Sequence, residues 1–584
     1  MKERTTTIIC FCTIASLMLT TVLTTTGSPW SETLPYMQAI VAAAAVMVFF
    51  MQAVSGKSMH PTPADMAMAA WWVYVALRTY ADCDSYTAGK EFVEYTTLTT
   101  VYALVRIIPK PSSRMLSTEN MMTLLLLAAT AYELSLGVWQ IYSGTSHHRL
   151  FPATGSMFNP GPYSAYVATG IAAAVSILHD ACDDNWHQPK RAAMLWLCTA
   201  IVMGGCFIIA VTQSRSAMIA VAAATAWIFR RECKRKYAIP AIAVTVVAAA
   251  GLFFLKMGSA MGRLVIWRQA ADIIADSPLF GTGLGSFAGE YGRHLAIFFA
   301  DSSHADTYAQ YADVADYAFC DTLQVFAEQG VTGGILCATF AAASLHSLSR
   351  TSKHLFVAMG TLLAFSLFSY PMQILPLQTI AVCIAACGQA GDNVLPASRL
   401  GSTATAAVCL AATLCCRSVT RQHVEGQTEY ASIKGMTHST FIADYYRLLP
   451  TCGDDKHFLF DFARLLQSNG RHLDACAILR RGTQVSGDPM FWTLMGNSQK
   501  AMHQYHQAAY CYERAFAILP NRLYPLYRNM LLFREMGDTG KAHKTALRLL
   551  ELQPKVESAA TKKMKEETRQ WLREKSDTLK IVKP

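Results

Sequence analysis

Charged residues are scarce in this chain. Only 15% of its 584 residues are Asp, Glu, Lys or Arg, whereas 52% are hydrophobic. A soluble domain carries roughly 25% charged residues, so a single soluble domain is excluded as a description of the whole chain. The apolar residues also form uncharged runs of about 17–25 residues, which is the length of a helix that spans a bilayer.

Several chemical signatures are missing as well. The 17 cysteines include no C-x-x-C pair with zinc spacing, and no H-E-x-x-H occurs, so the common sequence patterns of a zinc site are lacking. Most cysteines lie in apolar runs, where Cys behaves as a small apolar residue. A disulfide would have to join two of Cys452, Cys476 and Cys511, which lie in the more polar C-terminal part. The net charge of +10 is assigned to loops that face anionic lipid and not to nucleic-acid binding.

The apolar runs predict an all-α, polytopic bundle of about 12–13 membrane helices. The predicted spans are 7–26, 36–54, 66–80, 92–109, 120–142, 161–179, 192–212, 214–229, 238–257, 328–348, 354–371, 374–390 and 403–419. They divide the chain into N-terminal membrane helices (1–257), a long loop (258–327), C-terminal membrane helices (328–419) and a soluble domain (420–584). The first run has a basic start but no clear cleavage site before "SPWSE", so it is predicted to be retained.

Lys and Arg set the expected orientation of these spans. With the N-terminus inside, the inner loops contain Lys57, Arg106 and the run "RRECKRK" at 230–236, and few cations fall in the outer loops before residue 258. This asymmetry follows the positive-inside rule. It predicts that the long loop and the C-terminal domain lie outside.

The C-terminal domain has an internal repeat of roughly 34 residues, which is typical of tetratricopeptide helical hairpins. The repeats are aligned by a turn residue, by a small residue that lets two helices approach, and by a proline that ends the unit. These positions are Gly470, His503 and Gly537; Ala475, Ala508 and Ala542; and Pro489, Pro520 and Pro554. The basic segment 562–575 is expected to be a solvated capping helix. The repeat is either a packing module or a concave surface that binds a protein partner.

Three stretches of the membrane region favour an enzyme. "GSMFNPGPYSAYVATG" (155–170) is a turn that enters a helix from outside, and "VTQSRSAMIA" (211–220) breaks two apolar runs at Arg215. An arginine at such a break suits a phosphate group, which it can bind bidentately. The alternative is an interfacial arginine that extends to lipid headgroups. The third stretch is the long loop with its continuation to Phe340.

The order of these motifs resembles the O-antigen ligase and polymerase superfamily. The resemblance rests on "FNPGPYSAY", "TQSRSA", "SPLFGTGLGSF" after an Arg and Trp helix, and "LQVFAEQGVTGG", and it covers about 120 to 390. A tetratricopeptide tail on such a body resembles members from Bacteroidetes-like bacteria. The resemblance implies an inverting glycosyl transfer from a polyprenyl-diphosphate-linked glycan to an acceptor hydroxyl, without a metal or other cofactor.

The same resemblance assigns the cations. Arg215 matches the outward arginine of the Ser-Arg motif, and Arg263 matches the arginine at the start of the long loop, with Arg268 as the alternative. Such cations stabilise the charge that develops on the leaving diphosphate. The expected catalytic set is Arg215, Arg263, Asp321 and Glu328, and the expected substrate-binding residues are Arg268, Asn159, Gln213, His294 and His304.

The general base is where the sequence departs from the family. Ligases of this family place a His-Asn pair shortly before the Glu of E-x-G, and here Phe319 and Cys320 occupy those positions. The remaining base candidates are Asp321, Glu328, His304 and His294, with Asp321 preferred. Asp321 is also well suited to cap the helix that follows it. Asp313 and Asp316 are expected to be solvated loop carboxylates.

Two classes of function remain open at this point. The first is the transferase, whose acceptor is a lipid core, a growing polysaccharide or a protein hydroxyl. The second is a non-catalytic membrane scaffold or transporter whose repeat domain binds envelope proteins, and the missing histidine favours it. The two are distinguished by whether the cations and acids gather at one site.

Overall fold

The structure is a computed structural model, and it describes residues 2–22, 29–55, 60–82, 85–108, 117–183, 189–232, 257–301, 304, 307–388 and 399–581. These residues form 22 α-helices and short 3₁₀ turns, with no strand among them. The predicted all-α class is confirmed. The helices of the first part are α1 Lys2–Thr20, α2 Pro29–Ser55, α3 Pro63–Ala81, α4 Ala88–Ile107, α5 Thr118–Ser143, α6 Pro160–Asp183, α7 Pro189–Thr212 and α8 Arg215–Ile228.

The helices of the second part begin with the long loop. They are α9 Met257–Asp276, α10 Phe287–Phe298, α11 Asp321–Thr351, α12 Lys353–Ser366, α13 Leu375–Cys387, α14 Arg399–Ile433, α15 Ile442–Cys452, α16 Lys456–Ser468, α17 His472–Val485, α18 Pro489–Ala501, α19 Tyr505–Ile518, α20 Leu523–Glu535, α21 Thr539–Glu551 and α22 Ala559–Ile581. Short 3₁₀ turns cover Ala309–Tyr311, Pro371–Gln373 and Ser439–Phe441.

Six described helices are long and apolar enough to cross a membrane. The segments are Thr33–Phe50, Thr118–Ser143, Pro160–Ala181, Ala192–Thr212, Asp321–Thr351 and Gly401–Ile433. Four shorter apolar helices coincide with other predicted spans: Ile8–Thr20, Arg215–Ile228, Lys353–Ser366 and Leu375–Cys387. The chain is therefore a multi-helix membrane protein. Apart from Met257, the predicted span 238–257 lies outside the described residues.

Helices α3 and α4 occupy the predicted spans 66–80 and 92–109, but neither is apolar enough to join this set. They are joined by a buried ion pair. Arg106 donates two hydrogen bonds to the carboxylate of Asp65, at 2.8 and 2.7 Å, and Tyr102 donates a third at 2.8 Å. Asp65 also closes a capping box with Thr62. Arg106 was expected to be one of the cations of the inner loops. It is instead buried, and its charge is paired with that of Asp65, which is how a buried ion pair is tolerated.

The described chain divides into two compact units. The first, the membrane unit, contains 1–83, 88–255 and 319–424, and the second contains 84–87, 256–318 and 425–584. Residues 258–318 of the long loop thus belong to the same unit as the C-terminal helices, whereas 319–327 belong to the membrane unit. The boundary between Val424 and Glu425 falls within α14.

Helix α11 of the membrane unit has a sharp kink. Gly330 has φ 66° and ψ −171°, which is non-helical, so a short first segment (321–329) is followed by a longer second segment. Trp71 and Tyr74 of α3 donate side-chain hydrogen bonds to the side chain and main-chain carbonyl of Gln329, just before the kink. The Tyr74 hydroxyl thus supplies a donor to a main-chain carbonyl at the kink, where the regular helical hydrogen bonding is interrupted.

The C-terminal part forms three consecutive helical hairpins, α16–α17, α18–α19 and α20–α21, in which each helix packs on the next. The three aligned turn residues Gly470, His503 and Gly537 all have a left-handed backbone, with φ of 76°, 62° and 75°. The three aligned alanines are fully buried. His503 therefore adopts the turn conformation that its glycine counterparts adopt, although a left-handed backbone is uncommon for a residue with a Cβ.

Helix α22 covers the end of the last hairpin. Trp571 packs on the core around Tyr512 and Ala542, and Lys565 donates to the carbonyls of Leu550 and Leu552 at 3.2 and 2.6 Å. A lysine at those carbonyls satisfies acceptors that the end of α21 leaves open. Cys452, Cys476 and Cys511 are all buried and free, so no disulfide joins them.

Candidate active site

A short connection in the membrane unit brings the sequence motifs together. It runs from Leu367 to Ile374, after α12, and contains the 3₁₀ turn Pro371–Gln373; we call it the 367–374 segment. Its sequence, "LFSYPMQI", has few residues that would mark it as functional. Each of three motif regions nevertheless contacts it.

The "TQSRSA" motif reaches this segment through Ser216. Gln213 turns the chain between α7 and α8 with a left-handed φ of 52°, and Arg215 is then the first residue of α8. Ser216 donates from its hydroxyl to the carbonyl of Phe368 at 3.1 Å. Ser214 makes no side-chain capping bond to α8. Arg215 is half-buried at this helix N-terminus, where anions are favoured by the free N–H groups.

The "FNPGPY" motif reaches the same segment through Gly161. The side chain of Asn159 accepts a hydrogen bond from the Gly161 N–H at 2.9 Å, which fixes the turn into α6. A Cβ placed on Gly161 would lie 4.0 Å from the Tyr370 hydroxyl. Asn159 is therefore engaged in holding its own turn.

The turn before this motif is fixed by α5. The buried carboxylate of Glu133 accepts from the N–H and hydroxyl of Ser156, at 3.0 and 2.6 Å. Gln140, two turns later on α5, accepts from the N–H groups of Thr154 and Gly155 at 2.8 Å. A buried carboxylate is costly without donors, and here the donors come from the loop that it orders.

Asp321 forms the third contact with the 367–374 segment. It is buried, and its Oδ2 accepts from the main-chain N–H of Met372 at 2.9 Å. The expected capping role is wrong, because Cys320 is the N-cap residue of α11 and Asp321 is the first helical residue. Its Oδ1 is buried as well and accepts no hydrogen bond from a described residue by distance and angle, and the Gln373 side chain lies beside the carboxylate.

Phe319 and Cys320 occupy the positions of the family's His-Asn pair. Phe319 has a left-handed φ of 52°, and its ring packs edge-on against Tyr370 with centroids 5.0 Å apart. Cys320 is buried. Neither side chain is an imidazole or a carboxylate, and Phe319 packs on the 367–374 segment.

Glu328 lies two turns after Asp321 on the first segment of α11. It is buried, and its Oε1 accepts from the Gln324 amide at 3.2 Å. The spacing of seven residues places Asp321 and Glu328 on roughly one face of the helix. Both acids thus precede the kink at Gly330.

An apolar cavity of about 290 Å³ begins at Asp321. It is enclosed by α3, α4, α11, α12 and α13, and it extends along α11 past the kink to Ser344. Its lining is almost wholly apolar and includes Trp71, Phe326 and Phe340. The volume lies near the lower end for ligand pockets, and the lining suits a hydrocarbon chain.

The remaining candidates belong to the second unit. Arg263 is half-buried on α9. Arg268 is exposed and pairs with Asp272 of the same helix at 3.3 Å. His304 stacks on Phe298 with centroids 4.1 Å apart, and its Nδ1 lies 3.0 Å from the Phe298 carbonyl.

His294 is buried in α10, between Arg293 and the carboxylate of Asp276. Burial, followed by the nearby Arg293 charge, lowers the pKa of His294 below its usual value of 6.5. Within the part of the chain that the structure describes, no group of three His, Cys, Asp or Glu side chains is placed to hold a metal ion.

Part of the chain is similar to a known protein family. Residues 198–338 match the family model described as O-antigen ligase. This segment contains Arg215, Arg263, Asp321 and Glu328, whereas Asn159 lies before it. The match supports the O-antigen ligase superfamily and a glycosyltransferase function of that general type. No curated protein matches the chain.

The O-antigen ligase match does not reach the C-terminal hairpins, so their assignment as tetratricopeptide repeats stays a prediction. It also leaves out two features that sequence reasoning missed. One is the 367–374 segment, whose apolar sequence gives no signal of function. The other is Glu133, for which a signal existed: it is an acid in the middle of an otherwise uncharged predicted span.

Proposed function

We propose that this protein transfers a glycan from a polyprenyl-diphosphate carrier to an acceptor hydroxyl on the outer face of a bacterial inner membrane. The observation that carries the proposal is the meeting of three motif regions at the 367–374 segment: Ser216 contacts Phe368, Gly161 approaches Tyr370, and Asp321 binds Met372. Residues far apart in the chain are thereby held in one place, as a reaction site requires.

The leaving diphosphate needs positive charge. Arg215 stands at the N-terminus of α8, so its guanidinium and the free N–H groups of that helix favour the same anion. Arg263 is proposed as the second cation, with Arg268 as the alternative. Arg268 pairs with Asp272 of the same helix.

Asp321 is proposed as the general base. The acceptor oxygen attacks the anomeric carbon from the face opposite the diphosphate and forms the new C–O bond. The old bond between that carbon and the phosphate oxygen breaks, and its electron pair leaves with the polyprenyl diphosphate. The acceptor proton passes to Asp321 Oδ1, the oxygen that no described donor occupies. Glu328 is proposed to align groups beside it.

The exposure and existing contacts of each candidate side chain decide whether we propose that it contacts the substrate. Gln213 is exposed at the turn before Arg215 and is available to a ligand. Asn159 orders its own turn and acts on substrate only through that turn, and His304 stands at the surface of the long loop. His294 is buried, so its proposed role is structural. The apolar cavity suits the hydrocarbon tail of a lipid-linked substrate.

The test is a deletion strain complemented with variants. Arg215→Ala is expected to lower glycan transfer by about 100-fold or more, because it removes charge stabilisation from the leaving group. Asp321→Asn is expected to lower it by about 100- to 10,000-fold, because it removes the base. Arg149→Ala, at an exposed loop arginine, is the matched control and should behave as wild type. Lipopolysaccharide gels and glycoprotein staining report the product, and immunoblots report protein amount.

The products also separate the alternatives. Altered lipopolysaccharide with unchanged glycoproteins indicates a lipid or polysaccharide acceptor, and the reverse indicates a protein acceptor. If deletion changes the glycans but Arg215→Ala and Asp321→Asn both restore them fully, the transferase is wrong and the scaffold or transporter is supported.

A further inference from the structure

The long loop and the C-terminal hairpins are packed together in one unit. Helix α10 of the loop packs on α17 and α19, the second helices of the first two hairpins. The approach is close enough to require glycine. A Cβ on Gly289 would overlap the carbonyl oxygen of Gln484, and a Cβ on Gly292 would overlap Gly487. Conversely, a Cβ on Gly487 would lie 3.0 Å from the carbonyl oxygen of Ala288.

A second part of the loop, 309–316, is fastened to the same unit by polar contacts. The Asn521 amide donates to the carbonyls of Ala309 and Ala312, at 2.6 and 3.2 Å, and Asn521 is buried. The residue lies in the connection between α19 and α20. One hairpin connection thus holds the main chain of the loop.

Charge pairs extend this attachment to the two acids of the segment. Asp313 pairs with Lys555 at 3.0 Å, and Asp316 pairs with Lys456 at 2.7 Å. Both acids are exposed, as expected of solvated loop carboxylates, and each also has a cationic partner. Exposed ion pairs contribute little to stability, so the glycine contacts and Asn521 are the main attachment of the loop.

The helix that contains Arg263 is held through these same elements. Helix α9 packs on α10 and on the 3₁₀ turn Ala309–Tyr311. A Cβ on Gly262, the residue before Arg263, would lie 3.1 Å from the carbonyl oxygen of Tyr311. Tyr291 of α10 also donates to the carbonyl of Asp313 at 3.2 Å. The contacts of α9 with α10 and with the 3₁₀ turn therefore lead to parts of the loop that the hairpins hold.

We propose that the C-terminal hairpins are an internal docking platform for the long loop. Their ligand on the face formed by α17 and α19 is the chain's own loop, through the described residues 287–301 and 307–316, not a separate protein. The platform fixes the loop conformation that presents Arg263, so Gly289, Gly292 and Asn521 are positioning residues. The consequence for activity rests on the proposed function, in which Arg263 binds the diphosphate; the docking itself does not.

The docking is tested by limited trypsin digestion of the full-length protein in detergent. Gly289→Leu and Gly292→Leu are expected to raise the rate of cleavage at Arg293 at least tenfold, because a side chain cannot fit between the two main chains. Gly258→Leu is the matched control, since a Cβ there meets nothing within 4 Å. Circular dichroism confirms that each variant retains its helix content. Wild-type cleavage rates in both folded variants would overturn the proposal.

A milder variant covers the case in which the leucine variants fail to fold. Asn521→Ala removes the amide that holds two loop carbonyls and leaves the helices unchanged. It is expected to raise cleavage at Arg293 several-fold, and Asn521→Asp, which cannot donate, should match it. If neither variant changes cleavage, the platform is wrong.

Transfer assays then separate this inference from the proposed function. Loss of transfer in Asn521→Ala and in Arg263→Ala, with wild-type trypsin resistance in Arg263→Ala, supports both. Faster cleavage in Asn521→Ala with full transfer in Arg263→Ala retains the platform and removes the diphosphate role of Arg263. Full transfer in Asn521→Ala despite several-fold faster cleavage overturns the positioning role.

Discussion

Phe319 is the residue at which the chain departs most clearly from the family that its motifs resemble. Its left-handed backbone and its contact with the Tyr370 ring show that the position now supports packing. The carboxylate of Asp321, two residues later, is buried, and its Oδ2 accepts from the Met372 N–H. The proposed base thus lies close to the position where the histidine is missing, on a different side chain at the start of a helix.

The buried side chain of His294 leads to a prediction about how the stability of the protein depends on pH. Its pKa is lowered by burial and then by Arg293, and the carboxylates of Asp276 and Glu290 only partly offset this. A histidine whose pKa is lowered by folding stabilises the folded state most when it is neutral. The contribution of His294 to the free energy of unfolding is therefore fully present above pH 6.5 and is lost as the pH falls below that value. Thermal unfolding of the full chain is expected to show this fall.

Substitution identifies the group responsible. His294→Gln should reduce the loss of thermal stability on acidification, whereas His506→Gln, at an exposed histidine, should leave it as in wild type. Intrinsic fluorescence during heating measures both. Equal pH dependence in wild type and His294→Gln would assign the fall to other groups.

At the scale of elements, the kink in α11 separates two tasks within one helix. The first segment carries Asp321 and Glu328 and ends at Gln329, which Trp71 and Tyr74 hold. The second segment continues as an apolar helix along the cavity. Gly330 has φ and ψ angles that only glycine adopts readily. The kink therefore depends on this single residue.

Gly330→Ala is therefore expected to destabilise the membrane unit by about 1–3 kcal/mol, the usual cost of such a backbone for a residue with a Cβ. Gly360→Ala in α12 is the matched control, because a Cβ there meets nothing within 4 Å and alanine favours a helix. It should be neutral or slightly stabilising. Thermal unfolding in detergent measures both, and equal stability of the two variants would show that the kink does not depend on glycine.

The sequence was sufficient for elements that rest on local patterns. Hydrophobic runs predicted most helices, and the repeat alignment placed Gly470, His503 and Gly537 at equivalent positions that share one backbone conformation. It was insufficient where a residue's partner is distant. The partners of Asp313, Asp316 and Asp321 are Lys555, Lys456 and the Met372 N–H, and no local spacing encodes those pairs. Arg106 was misjudged for the same reason, since Asp65 lies on another helix.

At the scale of the whole molecule, the orientation in the membrane is the open prediction. Positive loops place 230–236 inside and the C-terminal hairpins outside. Lys544→Cys places a cysteine at an exposed position of α21. It should react with a membrane-impermeant maleimide that is added to the outer side of intact inner membranes. Arg231→Cys, also exposed, should react only after permeabilisation, and the unmodified chain gives the background. The opposite pattern would reverse the topology.

The discontinuity of the second unit has a consequence for biosynthesis. The loop 256–318 leaves the ribosome before residues 319–518, which include the platform helices α17 and α19. At about 5–20 residues per second, that delay is on the order of 10–40 s. During this time the newly made loop, with the apolar face of α10 uncovered, is open to chaperones and proteases, and a ribosome that stalls before α19 leaves it permanently unprotected.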